Sequence, residues 1–359
     1  MDEKMMNIEE CINRVIQERE KFSVIALHDY FIDHFVYMKE DLNNLMEEMI
    51  ETAKRGGGNI FKNEQSIIRG GCAANFSAAI AKLGVKVKLI TYADKIGLEI
   101  LKRDAIDVDL SHLKICEKQA ITTIIETIYM DRKINIMISY PGILSNFGLN
   151  KLDPKDWESI LNSDFVCMFT WNVNEKGNEL IEGVSRRVKE SGRGRVYIDL
   201  GDPRRKISEL RELLNKIMKE ELVDAISLNE NEFDIVSKIV FGERISYLKD
   251  LREELIKLSK ELNTRLDVHT PEYSATSANE KLTIVPCFKV NVKRTTGAGD
   301  AWNAGNILGW GSKLDDYSRL LIANAVAAIY ISKDAPIHPD IWELKEFIMK
   351  MGRYYFNIS

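Results

Sequence analysis

The chain has 359 residues, 45% of them hydrophobic, and a formal net charge of −5. That is enough for one large domain or two with a sizeable core, and it argues against a broad nucleic-acid-binding face, which needs an excess of cations. Five scattered cysteines without a Cys-x-x-Cys pair argue against a disulfide framework or a structural zinc site, and for reduced thiols in the cytoplasm.

No apolar run approaches the ~20 residues of a membrane span. Residues 1–22 are charged and lack an apolar signal core. Their Met6, Cys11, Ile12, Val15 and Ile16 predict a surface helix, to which no chemistry is assigned. Residues 23–27 read as a buried strand, followed by Asp29 and Asp33, where ligands gather in open α/β sheets. Residues 36–54 carry Met38, Leu42, Leu45, Met46, Met49 and Ile50 at helical spacing. Gly56-Gly57-Gly58 breaks that helix, as a connector or as a turn lining a substrate. Ser66-Ile67-Ile68 is a short strand leading into Gly70-Gly71, where the backbone can approach a ligand closely. The helix after it is rich in small residues and presents Asn75, both donor and acceptor. Arg69 is a candidate clamp for a phosphate or carboxylate.

Residues 85–91 form the next strand, and Asp94 caps the helix after it. Residues 120–130 and 134–139 pair as a hairpin through Asp131-Arg132-Lys133. So apolar a hairpin needs one face covered, because a free one is marginal. From residue 164 the strands 165–170, 195–200 and 225–228 alternate with helices near 175–190, 206–219 and 231–240, the sign of a parallel sheet covered on both faces. Asp199, Asp202, Arg204 and Arg205 follow one strand end, and Arg204 is a candidate reader of a phosphate on the substrate.

Asn229 and Glu232 end the next strand. Oxygen donors there suit magnesium, which keeps several waters and binds through few protein groups plus phosphates; the same spacing also makes a helix cap. An amphipathic helix over 247–262 precedes a strand over 265–269 and a short pair over 273–276 and 282–285. His269 is either a neighbour of a phosphate or a core histidine. Helices over 317–333, with Asn324 polar in a buried pattern, and over 339–351 complete the chain.

The organising stretch is Arg294-Thr295-Thr296-Gly297-Ala298-Gly299-Asp300-Ala301, just before an apolar helical pattern. Two glycines let the backbone bend, and a helix start leaves unpaired N–H groups with the positive end of the dipole behind them. Such a corner holds an anion, including a phosphoryl group in transfer. Asp300 in the same turn can orient an attacking hydroxyl and receive its proton. Together these are the minimum for a small-molecule kinase, because phosphoryl transfer is mostly positioning and charge stabilisation.

This stretch resembles the second signature of the ribokinase-like (PfkB-type) carbohydrate kinases, and the run from Arg69 to Gly84 resembles the first. The resemblance covers roughly residues 22 to 350. It implies an α/β fold with a mostly parallel central sheet, helices on both faces and a small β-sheet lid. It divides the chain into an N-terminal helical extension (1–22), a kinase domain (23–351) with lid strands near 32–36, 65–70 and 120–139, and a C-terminal tail (352–359). It implies Asp300 as base, with Gly297, Ala298 and Gly299 in the anion hole. Asp33 rather than Asp29, with Gly70, Gly71 and Asn75, would hold the sugar. Asn229, Thr296, Gly297, Gly299, His269 and Asn324 would border the nucleotide, and Asn229 with Glu232 would hold Mg2+ through water.

The expected reaction is phosphoryl transfer from ATP or ADP to a hydroxyl of a sugar, sugar acid or sugar phosphate. A nucleoside acceptor and a non-catalytic sugar- or nucleotide-binding regulator stay open as alternatives. A nicotinamide-dependent enzyme is disfavoured, since no Gly-x-Gly-x-x-Gly follows the first strand. Neither a nucleic-acid nor a membrane partner is expected, and an apolar lid makes a homodimer plausible.

Overall fold

The computed structural model describes residues 7–61, 63–242 and 251–351. Strands with near-continuous apolar runs fill the centre of a nine-stranded sheet. They are β1 (Ser23–Leu27), β4 (Lys86–Ala93), β5 (Leu113–Ile115), β8 (Phe165–Met168), β9 (Arg195–Asp199), β10 (Ala225–Asn229), β11 (Arg265–His269), β12 (Tyr273–Ala278) and β13 (Lys281–Pro286). Their order is β13-β12-β11-β10-β9-β8-β1-β4-β5. Only the β11–β12 and β12–β13 pairings are antiparallel.

Both faces of this sheet are covered, as a parallel sheet requires. Val24 and Ala26 of β1 enter one core, while Ile25 and Leu27 enter the other. Burying each of Val24, Ile25 and Leu27 contributes roughly 1.5–3 kcal/mol, and Ala26 less. The first core is closed by α3 (Cys72–Lys82), α10 (Ala298–Gly311), α11 (Asp316–Ile331) and α12 (Ile341–Met351). The second is closed by α6 (Gly177–Ser191), α7 (Ile207–Glu220), α8 (Glu230–Phe241) and α9 (Leu251–Leu262). The expected start of α9 at Tyr247 lies outside the described residues. Helices α10 and α11 approach so closely that a Cβ at Gly305 would sit 2.7 Å from Ala323 Cα.

The N-terminal helix α1 (Ile8–Glu18), expected on the surface, belongs to this core. Cys11, Ile12 and Val15 are fully buried, and the helix packs on α12 and α10. Its apolar stripe has a partner supplied by the far end of the chain, which local spacing could not reveal.

A second sheet of four strands stands beside the first: β2 (Phe31–Asp41), β3 (Asn63–Gly70), β6 (Ile121–Tyr129) and β7 (Arg132–Tyr140), in the order β3-β2-β6-β7. Here the expected helix over 36–54 is corrected. Residues as far as Asp41 are strand, and α2 spans only Leu42–Lys54, with Asp41 capping it through the N–H groups of Asn43 and Asn44. Pairing with β3 and β6 on either side of β2 overrides the helical spacing. Gly56, Gly57 and Gly58 all have positive φ and follow α2 as the connector, and none of them is among the wall residues of the two cavities described below. The hairpin turn is also tighter than expected, with Met130 and Asp131 at φ 48° and 59° as its two central residues.

The outer strand β7 leaves Ile136, Ile138 and Tyr140, which share one face by alternation, exposed. The homodimer expected from the sequence would use this apolar face. Sedimentation should then give about twice the monomer mass of 41.1 kDa, and Ile138→Lys should return it to the monomer; a monomeric wild type would contradict it. Among the described residues no helix is long and apolar enough to cross a membrane.

Candidate active site

The parallel strands end together, so Asp29, Thr170, Asp199, Asn229 and His269 gather along one edge of the sheet. Above that edge α10 begins. Gly297 at its N-cap has φ +82°, and a Cβ there would lie 2.6 Å from the Tyr330 hydroxyl, so only glycine fits. No side chain caps this helix, unlike α4 (Lys95–Asp104), which Asp94 caps. The N–H groups of Gly299 and Asp300 are thereby left for an anion, whereas that of Ala298, expected in the anion hole, already donates to the Thr295 carbonyl at 3.1 Å.

Asp300, in that turn, is buried at 7% exposure and is not among the wall residues of either cavity described below, although Thr296 lines the first and Gly299 the second. Its Oδ2 accepts a 3.0 Å hydrogen bond from Asn75 Nδ2, 225 residues away on α3. Asn75 Oδ1 in turn accepts from Arg69 Nε at 3.0 Å. The two glycine-bearing corners therefore meet at one point. Burial pushes the Asp300 carboxyl up to about 8; the Asn75 bond opposes this, and the Asp199 and Asp29 charges add to it.

The two candidate carboxylates after β1 divide their work. Asp29 is fully buried and accepts from the N–H groups of Cys72 and Ala73, at 2.7 and 2.9 Å, tying down the start of α3. Asp33 lines a cavity of about 400 Å³ together with Arg69, Asn75, Thr296 and Tyr330. Burial raises its carboxyl to about 7, with the Asp29 charge adding and Arg69 opposing. Gly70 and Gly71 make this possible: a Cβ at Gly70 would fall 2.1 Å from the Asp33 carboxylate, and one at Gly71 2.9 Å from that of Asp29.

A second cavity, of about 860 Å³, lies on the other side of the α10 start. Asn229, His269, Ala298, Gly299, Trp302 and Asn324 are among its walls. His269 packs at 5.0 Å on Trp302, and burial lowers its pKa against the pull of the Asp199 and Asp267 charges. Asn324 accepts from Trp302 Nε1 at 2.9 Å and donates to the carbonyls of Val285 and Pro286. It is a wall residue whose amide is already engaged.

Asn229 and Glu232 form a full capping box on α8: Asn229 Oδ1 accepts from the N–H of Asn231 and Glu232, and Glu232 Oε2 accepts from the N–H of Asn229. Burial pushes the Glu232 carboxyl up to about 8, with the Asp199 charge adding to it. Arg204 is not brought to either cavity. It is exposed in a short turn, Pro203–Arg205, and spends its guanidinium on Asp202. Tyr330, Trp302 and His338 line the two cavities although the sequence singled out none of them: Tyr330 and His338 lie far along the chain from either motif, and Trp302, two residues after Asp300, reads locally as an apolar helix position.

The pfkB family carbohydrate kinase model matches residues 44–343. The chain belongs to that family, and is a phosphotransferase acting on a sugar hydroxyl. It is 27% identical over 271 residues to the ATP-dependent ribose-1-phosphate kinase of Halopiger xanaduensis (strain DSM 18323 / JCM 14033 / SH-6), covering 74% of this chain and 81% of that protein. Its fold is similar to that of Arabidopsis thaliana ribokinase complexed with ribose and ATP, with a TM-score of 0.71, 18% identity, and 91% and 98% of the two chains covered. It is also similar to a putative ribokinase II from E. coli in complex with ATP and Mg2+, with a TM-score of 0.68, 16% identity, and 92% and 99% covered.

Proposed function

We propose that the smaller cavity takes the sugar and the larger one ATP, with transfer across the start of α10. The observation carrying this reading is the Asn75–Asp300 hydrogen bond, which joins the two glycine corners between the two cavities. Asp33 and Asn75 hold the sugar hydroxyls. Asp300 orients the reacting hydroxyl and takes its proton as the oxygen attacks the γ-phosphorus. The bond from that phosphorus to the β-phosphate oxygen breaks, and ADP leaves. The N–H groups of Gly297, Gly299 and Asp300 stabilise the charge in transit, that of Ala298 being held by the Thr295 carbonyl. Gly299 and Ala298 face the nucleotide, with His269 and Trp302 as a wall beside it.

Magnesium fits the residues present. Glu232 is a buried carboxyl beside the Asp199 and Asp202 charges, which a divalent cation would relieve. Such an ion would be held by water and phosphates, with Asn229 and Glu232 behind the water. When bound, it supplies charge neutralisation on the transferred phosphate. Scattered cysteines without a Cys-x-x-Cys pair suit a cytoplasmic location.

The test is ATP-dependent phosphorylation of a panel of sugars, with pH as a second variable. Asp300 must be ionised to act, so kcat/KM for the acceptor should climb with pH along a limb centred near 8. A profile flat between about pH 6 and 9 would contradict Asp300 as base. The same group links pH to stability. The folded protein keeps this proton up to about 8, while the unfolded chain loses it near the ordinary 3.8. Its contribution is therefore complete below 3.8 and falls away as pH rises to about 8.

A further inference from the structure

The sugar cavity holds donors that a neutral sugar does not use. Arg69, Lys82, Arg103 and Arg294 line it together with the carboxylates of Asp33, Asp104 and Asp107, and His338 lines it as an imidazole whose pKa burial and the Arg69 charge hold well below its ordinary value. Arg294 Nε and Nη1 are shielded from water and have no acceptor. The guanidinium lies over the Tyr330 ring, 5.6 Å from its centroid. Tyr330 stacks on His338 at 4.6 Å. His338 Nε2 faces Arg69 Nη2 at 3.1 Å, so Nε2 accepts and Nδ1 carries the proton; Nδ1 also lacks a partner.

Arg69 itself makes no ion pair among the described residues. Its three nitrogens go to Asn75 Oδ1, the Asp104 carbonyl and His338, all neutral. The nearby Asp104 carboxylate is taken by Arg103 and by the Arg69 N–H. One side of the cavity thus presents Asp33 and Asn75, suited to hydroxyls. Another presents Arg294 Nε and Nη1 and His338 Nδ1 with nothing to receive them. Buried donors without acceptors cost free energy, and a site built of them discriminates strongly in favour of a ligand that fills them.

We infer that the acceptor is a sugar already carrying a phosphate, whose oxygens are held at Arg294 with Arg69 and His338 behind, while a hydroxyl elsewhere on the ring lies at Asp300. This rests on the kinase reading above and specifies its substrate class. A phosphate is all acceptor and suits a guanidinium geometrically. A neutral sugar would satisfy Asp33 and Asn75 and leave Arg294 unpaired.

The experiment measures transfer from ATP to ribose, ribonate, adenosine, ribose 1-phosphate and ribose 5-phosphate, with wild type, Arg294→Met and Arg294→Lys. The expected result is a preference for a phosphorylated pentose of about 100-fold or more in kcat/KM over ribose. Arg294→Met should raise its KM about 30-fold with little change in the KM for ATP, and Arg294→Lys should recover part of the loss. Preference for ribose, adenosine or ribonate overturns the inference, as does an unchanged KM in Arg294→Met. Should no acceptor be phosphorylated, the kinase reading fails by itself, and calorimetric titration with the two ribose phosphates decides the anion site. Binding by wild type that is lost in Arg294→Met and regained in Arg294→Lys upholds it. Equal binding, or none, overturns it. Matching circular dichroism and melting temperature of the variants exclude misfolding as the cause.

Discussion

Asp300→Asn is expected to lower kcat about 10²–10⁴-fold, the range for removing a positioned general base, while ATP affinity stays within about a factor of three. An amide is nearly the same size and can still accept from Asn75 Nδ2, so the link between α3 and α10 survives. What is lost is the ability to take a proton and to pull the attacking hydroxyl into line. The fold should not suffer. The carboxylate it replaces is buried among the Asp199 and Asp29 charges, which is why its proton is held up to about 8. At alkaline pH the variant should melt no lower than wild type, since it removes a buried negative charge. Near-normal turnover in Asp300→Asn would remove Asp300 from the chemistry.

The largest effect on stability is expected from Arg319→Leu. Arg319 is 1% exposed, on α11 inside the first core. Its Nη1 and Nη2 each donate to the Asp267 carboxylate at 3.0 Å, and Nη2 also donates to Thr276 Oγ1 at 2.9 Å. Burial works against the Asp267 charge, yet Arg319 holds that carboxyl below its ordinary value. Gly309 makes room, since a Cβ there would lie 2.9 Å from Arg319 Cγ.

From Asp267 the network runs through Asn306, Tyr197 and Asn303 to Asp199 at the edge of the site. Removing the guanidinium leaves a buried, uncompensated carboxylate, expected to cost about 3–5 kcal/mol in denaturant unfolding. Arg319→Leu with Asp267→Asn should recover part of that loss, because the stranded charge goes with its partner. A single variant as stable as wild type would mean that water or another cation compensates Asp267.

Much of this fold is legible in the order of residues because its signals are local. The strand over 265–269 is found where its apolar run lies, and β9, β10 and β11 fall within a residue or so of their expected bounds. The alternation of such runs with amphipathic helices requires a sheet covered on both faces. The Gly297–Asp300 and Gly70–Gly71 corners are equally legible, since positive φ or close approach admits only glycine. Periodicity misled at residues 36–41, where spacing read as helical is strand, because pairing partners on both sides outweigh local preference. It also misplaced α1, whose buried stripe is met by a helix more than three hundred residues later.

By itself, then, the order of residues determined the class of fold, the strand ends at which chemistry could gather, and the two turns able to receive a ligand. Only the tertiary structure decided that Asp29 ties down α3, that Arg204 turns outward to Asp202, and that Asn75 and Asp300 touch. It also brought Arg294, His338 and Arg69 to one wall. The reason is physical. Backbone geometry and side-chain periodicity are set by neighbours a few residues away, whereas the partner of a polar side chain is selected by burial, when remote segments exclude water together and each donor must find an acceptor inside.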